Sequence, residues 1–155
     1  SKLRIMNDQM IDRGPDSEGY LMDNNFGMAM RRLSIIDLEK SIQPMQNSDK
    51  NISITFNGEI YNYIELREEL KKENIKFKTT GDTEVILKLY EKLGEKFIQK
   101  LIGMFSICIF DKIKKKILIY RDRFGIKPLY YYISQTSFYF SSSLFSKSLV
   151  PYALL

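Results

Sequence analysis

Short apolar segments separated by turn residues constrain the fold of this 155-residue chain more than any other feature of its sequence. Residues 18–22 and 26–35 flank an Asp-Asn-Asn sequence, and these residue types tolerate the left-handed backbone of tight hairpin turns. Residues 129–133 and 138–142 form a second such pair around 134–137. Because hairpins join neighbouring antiparallel strands, the sequence favours antiparallel sheets over a doubly wound parallel sheet.

The middle of the chain predicts further strands. Residues 104–110 are a continuous apolar run of strand length, which predicts a strand covered on both faces, followed by a turn and a returning strand at 117–120. Residues 52–56 alternate between apolar and polar and predict a half-buried strand that ends at Asn57-Gly58. On sequence alone, Asn57-Gly58 favours a hairpin turn over a functional site. Residues 75–77 alternate briefly and indicate an edge strand.

Helical spacing occurs in three places. The clearest is residues 82–93, where Val85, Ile86, Leu89 and Tyr90 belong to one apolar stripe and a glycine follows as the stop signal. Asp82 stands where a helix N-cap is expected. Residues 63–70 predict an amphipathic helix, and residues 3–13 a helix that ends in a turn. Hairpins together with a few helices define the α+β class.

Composition excludes several kinds of chemistry. The chain has no histidine and one cysteine, so His-based triads, His zinc sites and multi-cysteine metal sites cannot form within it. Cys108 lies inside an apolar run and is expected to be a small core residue. No metal is expected, and a reducing, cytoplasmic setting fits one cysteine with neither a signal peptide nor a stretch long enough to span a membrane.

The net charge of +5 comes mostly from lysines. Acidic residues interrupt them, and no arginine-rich stripe accompanies them, so no nucleic-acid partner is expected. Arg32, beside Arg31, has the default interpretation of a solvated strand charge. No phosphate-binding glycine loop is present, so no nucleotide site is expected in this chain.

Each landmark is weak alone, but their order along the chain is specific. The motifs are residues 13–19 (RGPDSEG), 31–38 (RRLSIIDL), 43–44 (QP), 56–62 (FNGEIYN), 82–86 (DTEVI), 103–105 (GMF) and 121–131 (RDRFGIKPLYY). This series closely resembles the glutaminase domain of glutamine-hydrolysing asparagine synthetases, a class II glutamine amidotransferase, from about Arg13 to Phe140.

The resemblance implies an N-terminal nucleophile hydrolase fold, with two stacked antiparallel sheets between helical layers. In that family an N-terminal cysteine attacks the side-chain amide of glutamine, and its own α-amino group is the base. An α-amine with a pKa of about 7.7–8.0 can accept the thiol proton without an imidazole, so the absence of histidine is compatible with this mechanism.

The resemblance also implies roles for named residues. Asn57 and Gly58 match the oxyanion hole, which stabilises the tetrahedral intermediate. Arg32 matches the group that binds the α-carboxylate of L-glutamine, because a guanidinium suits two carboxylate oxygens. Asp82 matches the acceptor for the substrate's α-ammonium, and Glu59 lies beside it in the glutamine pocket.

The match fails in two places. The family's catalytic cysteine lies upstream of the segment matched by Arg13, and neither Ser1 nor Cys108 can replace it, so we expect the sequence given to be inactive by itself. Residues 1–142 are expected to form the amidotransferase domain without its first strand. Residues 143–155 diverge where the synthetase domain would be approached.

Two interpretations of function therefore stay open. One is the glutaminase half of an asparagine synthetase, an ATP-dependent ligase of amino-acid biosynthesis, or of a relative that aminates another carboxylate. Its partners would be L-glutamine and a synthetase domain of the same polypeptide, which would bind ATP and magnesium, and a homodimer is allowed. The other is a glutamine-binding or scaffolding module that has lost its nucleophile.

Overall fold

The computed structural model describes residues 2–32 and 42–143, without the side chains of Arg13 and Arg32. Its regular elements follow one another in the order α1 (Lys2–Asp8), β1 (Ser17–Asp23), β2 (Phe26–Arg32), β3 (Met45–Gln46), β4 (Ile52–Ile60), α2 (Tyr63–Lys72), α3 (Asp82–Leu93), β5 (Gly103–Asp111), β6 (Lys116–Arg121), β7 (Tyr130–Ile133) and β8 (Phe138–Ser141). Short 3-10 helices cover Ile11–Arg13 and Gly94–Lys100.

The largest sheet has four antiparallel strands in the order β3-β4-β5-β6. Strands β4 and β5 form its centre and pair over nine positions, from Ile52 opposite Asp111 to Ile60 opposite Gly103. Their inner residues are buried on both faces, because successive side chains point to opposite sides of the sheet. This confirms the prediction for residues 104–110.

Helices α2 and α3 cover one face of this sheet. The predicted stripe on α3 is buried, with Val85, Ile86 and Tyr90 each at most 1% exposed. Burial of each such apolar side chain contributes about 1.5–3 kcal/mol, so this face is the main source of stability. The Tyr90 hydroxyl donates to Asp111 Oδ2 at 2.8 Å, which fixes the helix to the end of β5.

Two separate hairpins complete the fold. Strands β1 and β2 pair antiparallel through a turn in which Asn24 has a φ of 30°. Strands β7 and β8 pair around residues 134–137, where the Ser134 N–H donates to the Ser137 carbonyl at 2.8 Å. Both predicted hairpins are confirmed. The β1–β2 hairpin contacts the central sheet where Phe26 stacks on Phe110, with ring centroids 4.4 Å apart.

Several local predictions need correction. Residues 75–77 form no strand; the Phe77 ring instead lies under the Arg67 guanidinium at 4.5 Å. Helix α3 ends at Leu93 with Gly94 as its C-cap, as predicted, but the chain then continues as a 3-10 helix that no sequence pattern indicated. The predicted helix over residues 3–13 divides into α1 and a 3-10 turn. Residues 33–35 of the predicted second strand, and 144–155 of the predicted tail, lie outside the described residues.

Candidate functional site

The Asn57-Gly58 pair lies within β4, not in a hairpin turn, so that prediction is wrong. The strand continues without interruption from Ile52 to Ile60 because β5 pairs with it along its whole length. Gly58 lies opposite Phe105, and its φ of 155° is rarely adopted by other residues. A Cβ at Gly58 would overlap the Met104 carbonyl oxygen and lie 2.7 Å from Phe105 Cα. A side chain at this position therefore has no space.

The hydrogen-bonding directions of β4 place the Gly58 N–H on the open edge of the strand. In an antiparallel pair, alternate residues direct their N–H groups towards and away from the partner strand. The Phe56 N–H donates to Gln43 Oε1 at 2.5 Å, and the Ile60 N–H donates to Asp82 Oδ2 at 3.2 Å. Gly58 lies midway between these residues, so its N–H points to the same edge. Within the described residues, this N–H has no acceptor.

Asp82 lies at one end of this edge. It is the first residue of α3, and Gly81 occupies the N-cap position without a side-chain capping bond, so the expectation that Asp82 is the N-cap residue is wrong. Its carboxylate instead joins the start of the helix to the end of β4 through the Ile60 N–H. A strand edge and a helix start therefore meet beside Gly58.

The electrostatics of this corner favour a bound cation. Burial raises the pKa of Asp82, backbone N–H groups of Ile60, Asp82 and Thr83 oppose the rise, and the nearby charge of Glu59 adds to it. Among the side chains that the structure describes, no ion pair includes Asp82 or Glu59. Two acidic groups without a described counter-charge attract an ammonium group.

Gln43 connects the two halves of the site, a role that the sequence interpretation missed. The side chain is buried; its Oε1 accepts from the Phe56 N–H, and its Nε2 donates to Thr83 Oγ1 at 3.4 Å. One residue thus contacts the position before Asn57 and the position after Asp82. The sequence feature that could have indicated this role is the place of Gln43, a polar residue, in one of the ordered motifs, Gln43-Pro44.

Arg32 is the last residue of β2 and lies opposite Ser17 in the hairpin register. Its side chain and residues 33–41 are outside the described residues. The neighbouring Arg31 is engaged elsewhere: it donates to the Asn7 carbonyl at 2.7 Å and pairs with Asp8 and Glu18 at 2.8 and 3.0 Å. The role of Arg32 in binding a carboxylate stays a prediction.

A cleft of about 500 Å³ lies between the central sheet and the two hairpins. Asn57 lines it, together with residues of α1, β2, β5 and β8, so the cleft reaches the strand that carries Gly58. Cys108 also lines the cleft but is only 3% exposed, and burial raises its pKa to about 12. The prediction that Cys108 is a core residue is confirmed. Its thiol is therefore protonated near neutral pH. A cysteine nucleophile must be a thiolate, so Cys108 does not meet this requirement.

The described residues hold neither a candidate metal site nor a candidate membrane-spanning helix. No group of three or more Cys, Asp or Glu side chains in residues 2–32 and 42–143 could hold a metal ion. Over the same ranges, no helix has the length and apolar character needed to cross a membrane.

Comparison with solved structures identifies the class of fold. The chain is similar to the glutamine phosphoribosylpyrophosphate amidotransferase of Bacillus subtilis, with a TM-score of 0.68 at 19% identity, over 79% of this chain and 28% of that one. The allosteric regulatory enzyme of purine biosynthesis gives a TM-score of 0.67 at 18% identity, over 79% of this chain and 29% of that one. The predicted α+β fold class is therefore confirmed, because the chain has the fold of these two solved structures.

The sequence defines the family more closely. Residues 1–153 match the family described as a glutamine amidotransferase domain, and the chain belongs to that family. It is 50% identical to asparagine synthetase [glutamine-hydrolyzing] 2 of Bacillus subtilis, over 96% of this chain and 20% of the relative. It is 46% identical to a putative asparagine synthetase of Methanocaldococcus jannaschii, over 92% of this chain and 31% of the relative. The predicted resemblance is confirmed, and the chain spans less than a third of these relatives' length.

Proposed function

We propose that this chain is the glutaminase module of an asparagine synthetase, which hydrolyses L-glutamine to glutamate and supplies ammonia for the amidation of aspartate. The observation that carries the proposal is the open edge of β4. There the unpaired Gly58 N–H lies between the carboxylate of Asp82 and the side chain of Gln43. An acceptor for a substrate ammonium and a donor for an oxyanion thus occupy one strand edge.

The mechanism follows from what each group can do. Attack on the side-chain amide of glutamine places negative charge on its oxygen, which the Gly58 N–H and the Asn57 side-chain amide stabilise by hydrogen bonds. Asp82 and Glu59 receive the α-ammonium, and Arg32 the α-carboxylate. Recognition of both charged groups selects free glutamine over glutamine within a peptide.

The nucleophile is assigned to a cysteine outside the sequence given. Cys108 is excluded by its burial and by its raised pKa of about 12. The relatives are more than three times as long as the matched segment, which leaves room for a cysteine-bearing first strand and for a synthetase domain. We place the domain boundary near residue 142 and expect residues 1–155 to be inactive without the cysteine.

The acceptor half belongs to the rest of the polypeptide. ATP and magnesium are assigned there, since this sequence contains no phosphate-binding glycine loop. Aspartate is the acceptor that the relatives' names support, and another carboxylate would use the same glutaminase module. The cytoplasmic setting and a homodimer also stay predictions.

Glutamate release by the natural full-length polypeptide tests the proposal. We expect the wild type to form glutamate and Asn57→Ala to lower kcat by about 10²- to 10³-fold, the usual loss for one oxyanion donor. Asn51→Ala, at an asparagine just before the same strand and outside the lining of the cleft, is the matched control and should retain near wild-type turnover. A wild-type polypeptide that forms no glutamate would contradict the proposal.

The burial of Cys108 favours one second candidate, a module that binds glutamine without hydrolysing it. Calorimetry separates the two functions: heat on titration of L-glutamine without glutamate formation supports the binding module. No heat and no glutamate would exclude both.

A further inference from the structure

A short turn, residues 78–81, leads directly into Asp82, and buried charged side chains hold it from two sides. On one side is Glu84, which is 5% exposed and lies on the first turn of α3. Its carboxylate accepts from the Lys78 N–H at 2.9 and 3.0 Å, from the Thr79 N–H at 2.6 Å and from the Thr79 hydroxyl at 2.7 Å. Glu84 therefore fixes the amide groups at the start of the turn.

Arg67, on α2, holds the carbonyl groups of the same turn. Its Nη1 donates to the Thr79 carbonyl and its Nη2 to the Gly81 carbonyl, each at 2.7 Å. The Phe77 ring lies 4.5 Å from the guanidinium carbon and limits how the group can turn. Arg67 is 9% exposed, so these bonds are largely shielded from water.

The Gly81 carbonyl is the link to the substrate site. It belongs to the peptide bond whose nitrogen is that of Asp82, so the orientation of this peptide plane sets the direction in which Asp82 leaves the backbone. The Asp82 carboxylate in turn reaches the Ile60 N–H at 3.2 Å, two residues from Gly58. A rotation of the peptide would move the carboxylate relative to the edge of β4.

We propose that Arg67 and Glu84 are positioning residues for substrate recognition: they fix the turn at residues 78–81 so that Asp82 meets the α-ammonium of glutamine. The inference rests on the proposed function and assigns roles to two residues outside the glutamine pocket. Neither touches the substrate. Substitution of either residue should therefore weaken the binding of the α-ammonium of glutamine and leave the binding of its side-chain amide unchanged.

Two probes distinguish this effect from general damage to the fold. L-Glutamine carries the α-ammonium, whereas glutaramate (4-carbamoylbutanoate) is the same molecule without it. We expect Arg67→Lys, in the natural full-length polypeptide, to weaken glutamine binding by about 10-fold, since a lysine has one donor nitrogen in place of the two separate nitrogens with which Arg67 reaches the two carbonyls. Glutaramate binding, measured by NMR titration, should change less than about twofold.

Three further variants complete the experiment. Glu84→Gln keeps one acceptor oxygen and should show the same selectivity even if Arg67→Lys folds poorly. In an Asp82→Asn background, Arg67→Lys should cause no further loss of glutamine affinity, because the group that it positions is gone. Arg121→Lys is the matched control: Arg121 also donates to two loop carbonyls, those of Gly125 and Lys127 at 2.8 and 2.9 Å, but on a different loop. It should leave the ratio of the two affinities unchanged.

The outcomes separate the inference from the function on which it rests. Equal losses for glutamine and glutaramate would show a purely structural role and overturn the inference. Wild-type affinity for glutamine in both Arg67→Lys and Glu84→Gln would overturn it too, while leaving the proposed function intact. If the wild type binds no glutamine, the proposed function is wrong and the inference falls with it.

Discussion

Substitution of Gly58 by alanine tests how closely the backbones of β4 and β5 approach each other at this position. The added Cβ would overlap the Met104 carbonyl oxygen and lie 2.7 Å from Phe105 Cα, and both are backbone atoms that cannot rotate away. Crowding of this kind costs about 1–3 kcal/mol, and the φ of 155° adds about 1–3 kcal/mol for a residue with a side chain. We expect Gly58→Ala to lower the free energy of unfolding by about 2–6 kcal/mol.

The assay is thermal unfolding of the natural polypeptide by differential scanning calorimetry. For a domain of this size, the loss corresponds to a fall in Tm of about 4–24 °C in the transition that reports this domain. Turnover of glutamine should fall as well, because the strands must separate and the Gly58 N–H moves with β4.

Alanine substitutions at two other glycines distinguish the cost of crowding from the cost of backbone strain. Gly103, on β5, has an ordinary φ, but a Cβ there would overlap the Glu59 carbonyl oxygen and lie 3.0 Å from Ile60 Cα, so Gly103→Ala tests crowding alone. Gly94 has a φ of 58° and nothing within 4 Å of such a Cβ, so Gly94→Ala tests backbone strain alone. We expect Gly58→Ala to be the most destabilising and Gly94→Ala the least. Equal effects at Gly58 and Gly94 would refute the argument from close strand approach.

Three other perturbations have defined outcomes. Because burial raises the pKa of Asp82, its ionised form lowers stability as the pH rises above the carboxyl's ordinary pKa, so Asp82→Asn should raise Tm without ligand. The same variant should weaken glutamine binding by about 10- to 150-fold, as expected for loss of a hydrogen bond to a charged group; a lower Tm with unchanged affinity would contradict both expectations. Burial acts to raise the pKa of Asp122, but backbone N–H groups of Lys127, Ile126, Phe105 and Phe124 hold this pKa below its ordinary value. The ionised Asp122 carboxylate therefore stabilises the folded protein, and this contribution to the free energy of unfolding should be lost as the pH falls through the lowered pKa. Asp122→Asn should cost about 2–4 kcal/mol in urea unfolding at neutral pH, and no loss there would show that these hydrogen bonds contribute little. Cys108 should resist iodoacetamide in the folded protein near neutral pH and react in urea, as mass spectrometry would detect; rapid labelling of folded protein would contradict its raised pKa of about 12.

Periodicity predicted the elements that bury one apolar face. Helix α3 has the predicted bounds, Asp82–Leu93, and both hairpins lie at their turn residues. These local signals are strong because side-chain spacing and backbone geometry agree over several residues. Two short elements were not predicted, the two-residue β3 and the 3-10 helix over Gly94–Lys100, because so few residues cannot establish a period.

The predicted hairpin turn at Asn57-Gly58 was wrong because pairing with a distant strand determines the backbone conformation there. Asn57-Gly58 has the composition of a turn, but β5 pairs across it, and Gly58 is required by the approach of Met104 and Phe105. Those residues are far away in the sequence, so no local pattern could reveal the contact. Conflict between local preference and the observed strand is typical of functional positions.

In the candidate site, too, some residues could be predicted from the sequence and others could not. The ordered motifs indicated Asn57, Gly58 and Asp82, because a family resemblance carries long-range information that propensities lack. They did not indicate the bridge formed by Gln43 or the turn held by Arg67 and Glu84. These contacts depend on hydrogen bonds between separate elements.

We propose that the edge of β4 beside Asp82 binds free glutamine for hydrolysis. A crystal structure of the natural polypeptide with the product L-glutamate tests it most directly. We expect the α-ammonium of glutamate within hydrogen-bond distance of the Asp82 carboxylate, and a side-chain carboxylate oxygen accepting from the Gly58 N–H. Glutamate bound away from both groups, with these groups left unoccupied, would contradict the account.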